Sequence, residues 1–218
     1  SGLNLTSPTH TYASAGTYNA ALRVTDKDGG VSVVATCAIT ISPAPVTVSL
    51  GAVADSYVAQ DTSSTNYGSL ATMDVQSRST SKNRRSLAKF DLSGIPSNAT
   101  ILSATLSFYA STAPTDTRTY GTYRVTASWN ETSVTWATLP TTSGSYSSTT
   151  TTPGSVNWMI WNVSSDVQAM VSGTATNYGW LLKDSSEESS TAYLAQFNTH
   201  EHATASLRPK LVVTYQLP

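Results

Sequence analysis

The sequence predicts an all-β protein whose main body is an antiparallel β-sandwich of jelly-roll type. Short runs of alternating apolar and polar residues recur along the chain, and Gly, Pro and Asn turns separate them. Only one short stretch has helical spacing. At 218 residues, 39% of them hydrophobic, the chain can bury the core of one sandwich-sized domain with a small neighbour.

The charge balance narrows the function. Twelve Lys and Arg against 13 Asp and Glu give a net charge of -1, whereas a phosphate-neutralising protein carries a basic surplus. Nucleic acid is therefore not the expected partner, and cations can act only as a local patch. No run approaches the roughly 18 apolar residues of a membrane helix, so no membrane insertion is expected. No signal peptide opens the sequence, so a secreted protein would be represented here by a mature or excised piece. The single cysteine, Cys37, excludes an internal disulfide framework. It shares an alternating face with Val33, Ile39 and Ile41 and is expected to be a small buried hydrophobe.

Residues 1–44 read as a partial β domain with strands around Thr9 to Tyr12, Thr17 to Asp26 and Val31 to Ile41. Asp26-Lys27-Asp28-Gly29-Gly30 supplies the turn between the last two. Asp26 and Asp28 could hold calcium, although a polar turn explains them as well. Pro43 and Pro45 stiffen the connection, which leaves residues 45–48 as a linker and 49–218 as a second module.

Strands of that module are expected around Val53 to Val58, Met73 to Val75, residues 85–92, Ile101 to Ala110 and Gly121 to Trp129. More follow around Val156 to Val163, Trp180 to Lys183, Ala192 to Asn198 and Leu207 to Tyr215. Ser164-Ser165-Asp166 can cap a short helix with Val167, Met170 and Val171 on one side, stopped by Gly173. Asn66-Tyr67-Gly68 and Asn177-Tyr178-Gly179 are turn tripeptides in which Gly is free to take positive φ.

Several ordered motifs carry a family resemblance. Ser7-Pro8-Thr9-His10-Thr11-Tyr12, Ala15-Gly16-Thr17-Tyr18 and Val24-Thr25-Asp26-Lys27-Asp28-Gly29 resemble the C-terminal half of a PKD domain, an immunoglobulin-like spacer, without that family's front half. Ala54-Asp55-Ser56-Tyr57-Val58, Lys89-Phe90-Asp91-Leu92-Ser93-Gly94-Ile95-Pro96, Trp129-Asn130-Glu131-Thr132-Ser133-Val134-Thr135-Trp136 and Arg208-Pro209-Lys210-Leu211-Val212-Val213-Thr214-Tyr215 resemble a DNRLRE domain, a family that includes carbohydrate-binding module family 96. The resemblance implies an extracellular β-sandwich attached to polysaccharide-degrading enzymes or surface proteins, with alginate as a ligand of at least one member. The chain departs from the pattern at Asn198-Thr199-His200-Glu201-His202, where many members carry an Arg-Glu pair.

Cations are the candidate ligand-binding groups. Arg85 and Lys89 share one face of a strand, Arg208 and Lys210 share a face of the last strand, and Arg78, Lys82 and Arg84 could add a rim. If the two strands flank one groove, it suits a polyuronate, because Arg offers a planar fork and Lys a mobile charge to each carboxylate. A solvated edge with Asp91 neutralising Lys89 is the plainer alternative. Aromatic rings cover the apolar face of sugars, which brings in Trp129, Trp136, Trp158, Trp161 and Trp180. Trp129 and Trp136 are expected to pack a long loop against the sandwich. Trp158 and Trp161 fall on opposite faces of one strand, so one of them points outward or lies under a loop.

For metals, Asp55 could join a structural calcium site, and His200 with His202 at i,i+2 could bind zinc. Catalysis has little support: Glu187 and Glu188 are adjacent rather than facing across a cleft, and the three histidines lie near no nucleophile signature. The expected function is that of a non-catalytic, secreted or cell-surface module binding an acidic polysaccharide. The alternative is a structural surface or filament subunit, with the partial N-terminal domain completed by another chain.

Overall fold

The computed structural model describes residues 9–152 and 154–218. Ser7 and Pro8, at the start of the PKD-like motif, lie outside the described residues. An antiparallel hairpin comes first, made of β1 (Gly16–Leu22) and β2 (Ala35–Ile41). The expected strand at Thr9 to Tyr12 is absent, and beyond the hairpin Thr25 and Val31 form only an isolated bridge. Asp26 closes the turn itself, since its Oδ1 accepts the N–H groups of Asp28 at 2.9 Å and Gly30 at 2.7 Å.

Among the described residues no second layer covers the hairpin, so its apolar side chains stay in water. Val33 is 91% exposed. Cys37 is exposed as well, which corrects the buried position expected for it: alternation put it on the apolar face, but that face has nothing to pack on.

The main body contains β3 (Val46–Ala59), β4 (Thr72–Ser77), β5 (Arg84–Phe90), β6 (Thr100–Thr112), β7 (Thr119–Arg124), β8 (Ser148–Thr151), β9 (Asn157–Asn162), α1 (Ser164–Val171), β10 (Trp180–Asp184), β11 (Tyr193–Asn198) and β12 (Lys210–Gln216). Strand order β3-β12-β6-β11-β4-β5 returns to β3, closing a six-stranded antiparallel barrel. Strands β10, β7 and β8 extend the sheet from β5, and β9 adds to β6.

Closure is a correction to the expected sandwich, and β3 causes it. Its first half, Val46 to Gly51, pairs with β12, while Ala52 to Ala59 pairs with β5. A register shift between Ala52 and Ala54 bends the strand, so one strand serves both walls. Closure also removes the open edges that two separate sheets would present.

Alternation places the core. Ala88 and Phe90 from β5, Leu106 and Phe108 from β6, Trp161 from β9 and Phe197 from β11 meet inside the barrel. The buried indole of Trp161 donates to the Tyr120 carbonyl at 2.9 Å, and that of Trp180 to Asp166 at 2.8 Å, so neither N–H is stranded. In α1, Val167, Met170 and Val171 face the core as expected. Its first turn is held by Asn162 rather than by the serines: the Asn162 Oδ1 accepts the Ser164 N–H at 3.0 Å and hydroxyl at 2.8 Å.

A second, smaller cluster joins Val58, Leu87, Val125, Val134 and Leu181, capped by Trp129 and Trp136 from the β7–β8 connection. Leu87 is therefore buried, and most of the outer face of β5 lies beneath a loop rather than in solvent. The two Asn-Tyr-Gly turns pin such segments in the same way. Asn66 Nδ2 donates to the carbonyls of Glu131 and Val134, and Asn177 Nδ2 donates to that of Phe90. Gly179 has φ +76°, as the turn requires. Gly68 is needed for close approach instead, since a Cβ there would lie 2.0 Å from the Glu131 carbonyl oxygen.

Candidate functional site

The cations named from the sequence divide into three pairs and the single Arg208. Arg85 forms a bidentate pair with Glu187, at 2.8 and 2.7 Å, and its guanidinium lies 4.6 Å from the centre of the Trp136 ring. Arg84 pairs with Asp74 and sits beside the Tyr57 ring. These two hold the protein together rather than reaching into solvent: the Arg85 fork is taken up by Glu187, and Arg84 is tied through one nitrogen to the buried Asp74. Arg78 and Lys82 belong to the β4–β5 connection, at the opposite end of β5 from Lys89, so they form no rim to one groove with it. That connection is closed by Gln76, whose Nε2 donates to the Lys82 carbonyl at 2.6 Å.

Lys89 and Lys210 are brought to one surface. Strands β5 and β12 both pair with β3, on either side of it: Lys89 lies opposite Ala54, and Lys210 opposite Gly51. Two strand spacings and about three residues of rise separate them, on the order of 14 Å. Gly51 and Val53 between them are exposed, so the floor of this track is open. Neither lysine forms an ion pair among the described residues. Asp91 does little to neutralise Lys89. It accepts the Ser93 N–H at 2.9 Å, and this bond is the main reason its carboxyl lies below its ordinary range, with Lys89 the smallest contribution. Arg208 lies two residues before β12 rather than on a strand face with Lys210, and it spends its Nε on the His202 carbonyl at 2.7 Å.

An aromatic ring completes this surface. On β9 the choice between the two tryptophans is settled: Trp161 is in the core, and Trp158 faces outward. The Lys210 ammonium lies 4.2 Å from the Trp158 ring centre, and Tyr109 meets the same ring edge-on at 5.5 Å. Trp129 and Trp136 pack the loop, as expected from their place in the motif that carries the family resemblance; Trp129 Nε1 donates to the Tyr178 carbonyl at 2.8 Å.

A separate cluster gathers Asp55 from β3, Glu131 from the β7–β8 connection, and His200 and Glu201 from the turn after β11. One potential ligand atom from each lies within 4.8 Å of all the others, so the group could hold a metal. Asp55 is fully buried. Its Oδ2 accepts the His200 N–H at 2.9 Å, and its own N–H donates to Glu131 at 2.7 Å. Burial pushes the Asp55 carboxyl up to about 7; the His200 N–H and ring oppose this, while Glu201 and Glu131 add to it.

The sequence pointed to Asp55 and His200 separately and missed Glu131 and Glu201. Nothing in their spacing reveals that the barrel brings residues 76 positions apart into contact. The zinc pair His200 and His202 is not formed, since the chain turns between them and His202 Nδ1 accepts the Thr204 N–H instead.

A closed β-barrel that presents a tryptophan beside lysines on its outer wall has the build of a module that binds sugars. The sequence model of carbohydrate-binding module family 96 matches residues 46–215, and the chain belongs to that family. The match runs from β3 into β12 and leaves the β1–β2 hairpin outside. No curated protein matches the chain.

Proposed function

We propose that the barrel is a non-catalytic module that attaches a secreted or surface protein to an acidic polysaccharide, alginate or another polyuronate. The observation that carries this reading is the outer track on which Lys210 and Lys89 flank exposed small residues of β3, with the Trp158 ring at one end. A flat ring takes the apolar face of one sugar, and an ammonium without a carboxylate partner takes the charge of the next. Each exposed ion pair supplies only about 0–1 kcal/mol, so binding depends on several sugars engaging at once. The exposed lysines also make it sensitive to salt, which screens over about 8–10 Å at ordinary ionic strength.

Affinity gel electrophoresis tests this. Alginate in the gel should retard the protein, a neutral glucan should not, and added salt should release it. Equal retardation in both gels contradicts the acidic ligand.

The open face of the hairpin favours a second reading, in which residues 1–44 are half of a PKD-like domain completed by another copy of the chain. Light scattering decides it: polymers or strand-exchanged dimers support that arrangement, and a monomer at high concentration removes it.

A further inference from the structure

Three carboxylates and one imidazole meet at a largely buried point, and this charge balance is unusual. The acids outnumber the one side chain here that could carry positive charge, the His200 ring, and neither Lys nor Arg pairs with any of the three among the described residues. Burying such a surplus is costly unless a cation offsets it. Three polar atoms here also have no hydrogen-bond partner: Asp55 Oδ1, His200 Nδ1 and Glu201 Oε2. Asp55 is wholly inaccessible, so its unpartnered oxygen is not reached by bulk water.

The separations suit a metal better than hydrogen bonds. His200 Nδ1 lies 3.3 Å from Asp55 Oδ1 and 3.5 Å from Glu131 Oε1, long for N–H···O contacts. Two ligands each about 2.1 Å from a tetrahedral ion stand about 3.4 Å apart. The remaining oxygen of Asp55 is held by the His200 N–H, which fixes the carboxylate with Oδ1 turned to the ring. Glu131 is held through the Asp55 N–H. Glu201 Oε1 lies 3.1 Å from the far nitrogen, Nε2, its Oε2 has no hydrogen-bond partner, and one of its oxygens lies within 4.8 Å of a ligand atom from each of the other three residues.

We propose that Asp55, His200, Glu131 and Glu201 bind one divalent transition-metal ion of the zinc class, which ties β3 to the β7–β8 connection and the turn after β11. The imidazole nitrogen separates this from the calcium site expected at Asp55, because calcium takes oxygen ligands whereas an N,O set suits zinc and its neighbours.

The experiment uses the full chain without a histidine tag, stripped with chelator and then titrated separately with zinc and calcium. Zinc should bind at one ion per chain by elemental analysis and raise the melting temperature by several degrees at about 100 times its dissociation constant. Cobalt in its place should give visible absorption bands. His200→Ala should weaken zinc binding by more than about 100-fold, beyond the loss from removing an outer-shell partner, while His202→Ala leaves it unchanged. Should His200→Ala fail to fold, Glu201→Gln and the cobalt spectrum of the unaltered protein decide the matter. No bound zinc and no thermal response overturns the proposal, as does a response to calcium alone.

Discussion

Gly68 presses its Cα against the backbone of Glu131, so closely that a Cβ built there would meet the carbonyl oxygen at 2.0 Å and the carbonyl carbon at 2.7 Å. Backbone cannot yield as a flexible side chain would. Gly68→Ala should therefore destabilise the protein by about 1–3 kcal/mol, the range for overpacking, and weaken zinc binding by displacing Glu131. Gly51→Ala, where the new methyl meets nothing within 4 Å, should leave the melting temperature unchanged. Equal melting temperatures for the two variants would contradict this packing.

Arg85 and Lys89 lie on the same strand face but should respond differently. The Arg85–Glu187 pair is only partly exposed, 23% and 15%, and removing the guanidinium leaves Glu187 unpaired and Trp136 uncovered. Arg85→Ala should cost about 2 kcal/mol, between the values for surface and buried pairs, while Lys89→Ala should stay within about 0.5 kcal/mol. Chemical denaturation measures both. A neutral Arg85→Ala would return that residue to the list of ligand-binding groups.

Two tyrosines make the protein sensitive to base. Burial, with nearby Asp74 adding to it, raises the Tyr57 phenol to about 12, and burial raises the Tyr120 phenol further. The folded pKa lies above the unfolded value of 10, so the stabilisation is fully present below pH 10 and is lost as pH rises through about 12. Absorbance at 295 nm should show most of the 11 tyrosines ionising first and a late group ionising with unfolding. A single transition before unfolding would contradict their burial.

Strand positions were legible in the sequence because alternation is a local signal: Ala88, Phe90 and Leu106 are core residues as their spacing required. Helix α1 was legible for the same reason. Barrel closure was not, since it depends on β3 changing partners at a bulge that no composition marks. Lys89 and Lys210 could be placed on one surface from the sequence only on the condition that their strands flank one groove, and the partners that occupy Arg85 and Arg84 were invisible. Cys37 illustrates the converse, because a periodic apolar face says where a layer would pack and not whether one is present. An aromatic thiol-exchange reagent should label Cys37 in the native protein at the rate of a free thiol; protection would mean that the hairpin face is covered in solution.

Calorimetric titration with defined oligouronates tests the central claim most directly, comparing the unaltered protein with Lys89→Ala/Lys210→Ala and with Trp158→Ala. The double lysine variant should lose most of the affinity and nearly all of its salt dependence, and the tryptophan variant should lose affinity while keeping its salt dependence, all with unchanged melting temperatures. Binding of oligouronates with the same affinity and salt dependence in all three proteins would contradict the assignment of this surface.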